Sequence, residues 1–169
     1  MVLESLIPWA HSLIVNFSYL GIFVASLIST STIFLPFPLY AIVFLAVGLG
    51  LNPLVTAVVA GAGSAIGELT GYFLGEGGRV VIEQKKHKRS KLIGKFIKFF
   101  EKYGFATILA TSFLPFPFDF VGILSGMSNY DLKKFLLATF IGKTGKILLI
   151  SYAGYLVGPY IHVLINSVF

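Results

Sequence analysis

Two stretches read FLPFP, Phe34–Pro38 and Phe113–Pro117, and each lies inside a long apolar run. A Pro-x-Pro interrupts a helix, because proline lacks the backbone N–H and its ring clashes with the preceding turn. The chain therefore breaks twice, in the same words, where its surroundings are most apolar. Those surroundings set the class. Of 169 residues, 56% are hydrophobic and 12% charged, against about 25% charged in an ordinary soluble domain. The mean hydropathy is +0.89. This composition predicts an all-α integral membrane protein, a single domain over residues 1–169.

The charges are segregated. Of 13 Lys and Arg, nine lie between Arg79 and Lys102, and the rest are Lys133, Lys134, Lys143 and Lys146. The positive-inside rule places the middle loop in the cytoplasm and both termini outside a multi-pass cell-membrane protein. Within the loop, Leu92, Ile93, Phe96, Ile97, Phe100 and Tyr103 share one helical face, with Lys91, Lys95, Lys98 and Lys102 mostly opposite. That pattern predicts an amphipathic helix over 91–103 lying on an anionic membrane surface rather than a nucleic-acid patch. The N-terminus has no basic region and no small-residue cleavage site, so a cleaved signal peptide is not expected.

The breaks belong to a repeat. The FLPFP copies are 79 residues apart, whereas GYFLG (Gly71–Gly75) and GYLVG (Gly154–Gly158) are 83 apart, as are Gly21 and Gly104. The slip of four residues is about one helical turn. Two repeats follow, at about 20–75 and 104–158, joined by the basic linker 76–103. Each reads as a re-entrant helical hairpin followed by a crossing helix. The hairpin tips fall at Pro36, Pro38, Pro115 and Pro117. The first crossing helix reads as Pro53–Gly75, with proline tolerated at its start. The arms 104–114 and Phe118–Met127 are too short to span a 30 Å hydrocarbon core. Broken backbone at membrane depth is tolerated only where it is buried in protein or lines a wet cavity. The charge pattern makes the repeats inverted, with a site expected where they meet. An ordinary helix bundle with proline kinks is the alternative.

Several residues mark that site. Gly63, Gly67, Gly71 and Gly75 recur every fourth position and predict close helix packing. Glu68 sits beside this ladder, Lys143 and Lys146 share a face of the second crossing helix, and Asp119 follows the second FLPFP. Each charge would cost about 2.5–3.5 kcal/mol if it faced lipid, so the four should turn inward and pair. They form either a path for an anionic headgroup or a set of ion pairs that only fixes the packing. No metal or cofactor is called for: there is no cysteine, and His11, His87 and His162 have no ligand spacing. No Ser/His/Asp arrangement suggests an enzyme.

GSAIGELTGYFLG (Gly63–Gly75) resembles the G-x-x-x-G-[DE]-x-x-G-Y-x-x-G motif of the DedA / VTT (SNARE-associated Golgi protein) superfamily. FLPFPFDFVGILSG (Phe113–Gly126) resembles its second motif, and FLLATFIGKTGKILLISYAGYLVG its closing helix. The resemblance implies paired re-entrant hairpins in inverted repeats. It also implies movement of phospholipids or polyprenyl-phosphate carriers across the bilayer. Two positions depart from the bacterial pattern: Tyr40 stands where those members place an acid, and Phe118 where they place an arginine. The expected function is a lipid scramblase or flippase whose partners are anionic membrane lipids and not nucleic acid. A proton- or ion-coupled carrier of a small solute is the alternative. A homo-oligomer is compatible with the glycine ladder.

Overall fold

The computed structural model describes residues 18–31, 39–84, 91–115 and 117–168. Among these there are only helices and short connections: α1 (Ser18–Ser31), α2 (Leu39–Gly48), α3 (Pro53–Gly67), α4 (Leu69–Gln84), α5 (Lys91–Phe113), α6 (Phe118–Met127) and α7 (Leu132–Val168). The segments Pro53–Arg79 and Leu132–Pro159 are long and apolar enough to cross a membrane. Large apolar side chains stand exposed on every helix, among them Leu20, Leu45, Leu54, Phe73, Phe120 and Leu149.

The break at Pro115–Pro117 separates α5 from α6, and Pro117 takes an extended conformation as the N-cap of α6. The first tip, with Pro36 and Pro38, lies outside the described residues. Helices α2 and α6 are both ten residues long, and their starts are 79 positions apart. Identical turns follow them. Gly50 and Leu51 donate to the carbonyls of Val47 and Ala46; Asn129 and Tyr130 donate to those of Gly126 and Ser125. This is a Schellman stop. Its left-handed residue is Gly50 (φ 113°) in one copy and Asn129 (φ 55°) in the other. Each turn ends in a side-chain cap. The Asn52 carbonyl oxygen accepts from the N–H groups of Leu54 and Val55 at 3.0 and 3.2 Å, and the Asp131 carboxylate accepts from that of Lys134 at 2.8 Å. The 79-residue offset thus holds through the helix starts at Pro53 and Leu132. It becomes 83 by Gly71 and Gly154, so the extra turn lies inside the second long helix.

Glycines set the packing. Gly63 and Gly67 admit α1, where side chains would collide with Ser26, Thr30 and the carbonyls of Phe23 and Leu27. Gly71 and Gly75 instead face α6, at Gly122 and Ile123. A four-residue spacing overshoots the 3.6-residue turn by about 40° per step, so the ladder rotates from one neighbour to the other. Gly154 and Gly158 meet Phe44 and Gly48 of α2 in the same way. Contact order along each pair gives the directions. α4 runs parallel to α6 and α2 parallel to α7, whereas α3 and α7 are antiparallel, with Ala57 near Ile147 and Gly61 against Thr144. Each ten-residue helix therefore rests on the long helix that does not directly follow it in the chain, α2 on α7 and α6 on α4.

Three boundaries differ from the sequence reading. Residues 91–103 are not a separate helix: α5 runs unbroken from Lys91 through Gly104 to Phe113. One glycine costs about 1 kcal/mol in a helix and does not end it. Gly104 also packs under the Tyr130 ring, where a side chain would collide. The first long helix passes its expected end at Gly75 and continues as α4 to Gln84. The second passes Gly158 and carries Pro159 within it.

Candidate functional site

The long helices meet at an ion pair. Glu68 stands where α3 gives way to α4, yet the helical bonds pass through it: its N–H donates to Ser64 and its carbonyl accepts from Tyr72. Lys143 lies about 16 Å along α7 from Leu132 by helical rise. Its Nζ donates to Glu68 Oε1 at 2.6 Å, with the two side chains only 7% and 4% exposed. Removing two charges from water is costly, and breaking such a pair is costlier still, because one charge is left buried alone. Glu68 Oε2 is buried and has no hydrogen-bond partner among the described residues. A carboxylate oxygen in that state keeps unused capacity to accept a donor.

The two lysines face the starts of the two ten-residue helices. Lys143 Nζ lies 5.0 Å from the ring centroid of Phe118, the first residue of α6. Lys146 Nζ lies 5.9 Å from the ring of Tyr40, the second residue of α2. It also donates to the Leu114 carbonyl at 2.6 Å, just before the second proline break. Lys146 thus ties the end of α5 to the start of α2. The aromatic residues at the two departures from the family pattern present ring faces to these cations, an attraction of about 0.5–2 kcal/mol each.

Of the four charged residues singled out in the sequence, Glu68 and Lys143 touch. Lys146 and Asp119 lie within electrostatic reach of that pair without bonding to it. Asp119 is half-buried in the first turn of α6, where a carboxylate favours the positive end of the helix dipole. The sequence reading missed Ser64 and Thr139. Each is fully buried, one turn before Glu68 or Lys143, and its hydroxyl has no partner among the described residues. The i, i+4 spacing of hydroxyl and charge was the available signal. Together these groups place hydroxyls, a free carboxylate oxygen and two ammonium groups at one crossing of apolar helices. Among the described residues no group of three His, Cys, Asp or Glu is placed to hold a metal.

This architecture, long apolar helices crossed over a buried charged pair with a proline break between α5 and α6, fits a helical membrane-associated protein. The family model for the VTT domain matches residues 35–156, most of the chain and both breaks. The protein belongs to the DedA/VTT family, whose members are membrane-associated. No curated protein and no solved structure matches it.

Proposed function

We propose that this protein is a membrane lipid transporter that moves phospholipid or polyprenyl-phosphate headgroups across the bilayer at the Glu68–Lys143 crossing. In this reading α3–α4 and α7 span the membrane. The α1–α2 and α5–α6 pairs are re-entrant hairpins entering from opposite sides, and the basic segment after α4 is cytoplasmic. Three features support that placement. Helices α2 and α6 rise only about 15 Å each. The first long helix runs antiparallel to the second, as inverted repeats require. The outward faces carry aliphatic and aromatic side chains.

The observation that carries the proposal is the buried pair with one unsatisfied carboxylate oxygen. A phosphate cannot cross hydrocarbon unpaired. An ammonium group in a sheltered path replaces water as its partner through a charge-assisted hydrogen bond. Lys143 exchanges Glu68 for the headgroup phosphate, and Glu68 reclaims it when the phosphate leaves. The two acids keep the empty path near neutral, so that binding stays weak enough for release. Lys146 holds the hairpin end against α2 and offers a second cation along the way. No bond is made or broken in the lipid.

Reconstitution into liposomes with headgroup-labelled lipids tests the proposal. Transbilayer exchange well above that of empty liposomes is the expected result. Exchange no faster than in protein-free vesicles would overturn it, and a small-solute carrier gives that outcome.

A further inference from the structure

A groove on the outer surface is not lined by either member of the buried pair. Ala62, Ala65 and Ile66 of α3 form one wall, and Leu137 and Phe140 of α7 form the other, around a cavity of about 400 Å³. Small side chains on α3 make the depression, while Ile66 and Leu137 remain 45% and 53% exposed at its rims. Lys133 lines the same cavity. It stands about 10 Å from Phe140 along α7, one residue after the helix start. Lys134, its neighbour, is exposed and does not line the groove. The Asp131 carboxylate already accepts from the Lys134 N–H.

We infer that this groove is a binding site for one anionic phospholipid from the leaflet on the side of the 128–131 turn. An acyl chain lies between α3 and α7, and the headgroup phosphate pairs with the Lys133 ammonium. The chemistry is complementary at both ends. The walls from α3 and α7 offer apolar contact, and Lys133 is the one charged residue among those lining the groove. An ammonium group at an anionic surface favours the anionic headgroup over a zwitterionic one by about fivefold. The site needs the membrane placement proposed above, but not transport through Glu68 and Lys143.

Brominated lipids quench a nearby tryptophan and test the site in the full chain. Trp9→Phe removes the native tryptophan, the only one in the sequence. Leu137→Trp then reports on the groove, and Leu149→Trp, 62% exposed on the same helix, reports on ordinary lipid contact. Each variant is reconstituted in phosphatidylcholine bilayers containing brominated phosphatidylglycerol or brominated phosphatidylcholine. At Leu137→Trp the ratio of quenching by the anionic to the zwitterionic lipid should indicate about a fivefold binding preference. At Leu149→Trp it should be near unity. Adding Lys133→Gln should remove the preference and adding Lys134→Gln should leave it. Equal ratios at both reporter positions would overturn the site, as would an equal loss with Lys134→Gln, which would mean diffuse surface attraction. So would a weak, lipid-independent signal caused by a second copy of the chain covering the groove. Absence of quenching at both positions would overturn the membrane placement as well, whereas equal ratios leave that placement standing.

Discussion

Gly61 and Thr144 touch where α3 crosses α7, so closely that any side chain at position 61 would meet the Thr144 hydroxyl. They are 83 residues apart, the offset that relates Gly71 to Gly154 and Gly75 to Gly158. The two long helices cross antiparallel at this contact, as the inverted repeats of the proposed arrangement require. The charged pair is not duplicated: at an offset of 79 or of 83, neither Glu68 nor Lys143 falls on another charged residue.

In the proposed arrangement the 49–52 and 128–131 turns lie on opposite sides of the membrane. The chain has no cysteine, so one introduced thiol is a clean reporter. Leu49→Cys should react with an impermeant maleimide only from outside the cell, and Lys134→Cys only after the membrane is opened. Labelling of both from the same side would contradict the arrangement.

Breaking the buried pair should destabilise the protein. Lys143→Ala leaves Glu68 buried and unpaired, a loss of about 3–5 kcal/mol. Combining Lys143→Met with Glu68→Gln removes both charges and should recover most of that loss, with the methionine packing beside the Phe118 ring. Thermal unfolding in detergent reads both values. A double variant no more stable than Lys143→Ala would show that the pair's charges are not what the fold answers to.

Two glycines of the α4–α6 region should respond oppositely to the same change. A methyl at Gly126 would collide with the Tyr72 carbonyl and the Glu76 backbone nitrogen, whereas one at Gly77 would meet nothing. Gly126→Ala should therefore cost about 1–3 kcal/mol. Gly77→Ala should stabilise α4 by up to about 1 kcal/mol through helix propensity. Unfolding midpoints of the two variants check the sign of each.

Parts of this fold are written locally and parts are not. The break at Pro115–Pro117 and the bounds of α6, Phe118–Met127, follow from proline and from the polar SNYD that ends the apolar run. Both are short-range signals. Helices α4 and α7 pass the expected ends at Gly75 and Gly158, and α5 runs through the expected boundary at Gly104, because single glycines read as stops. Tertiary packing overrides them: Gly75 rests on Ile123, Gly104 under Tyr130 and Gly158 on Gly48. Likewise the charges at 68 and 143 stand out in an apolar sequence, and energetic cost alone says that they turn inward. Their aromatic partners do not stand out. Phe118 and Tyr40 look like any other apolar residues until α6 and α2 are laid against the long helices, and that arrangement depends on contacts many residues apart.

The most direct measurement of the central claim is transbilayer lipid exchange per folded molecule, compared between the natural protein and a Glu68→Gln, Lys143→Ala, Lys146→Ala variant. Exchange of headgroup-labelled phospholipid is followed in liposomes, and folded protein is counted in the same sample by size exclusion and thermal unfolding. If the headgroup passes Lys143 and Lys146, the folded variant should exchange lipid at least about tenfold more slowly, the loss of one charge-assisted contact worth about 1.4 kcal/mol. Exchange at the natural rate per folded molecule would contradict the account and reduce these residues to a packing role.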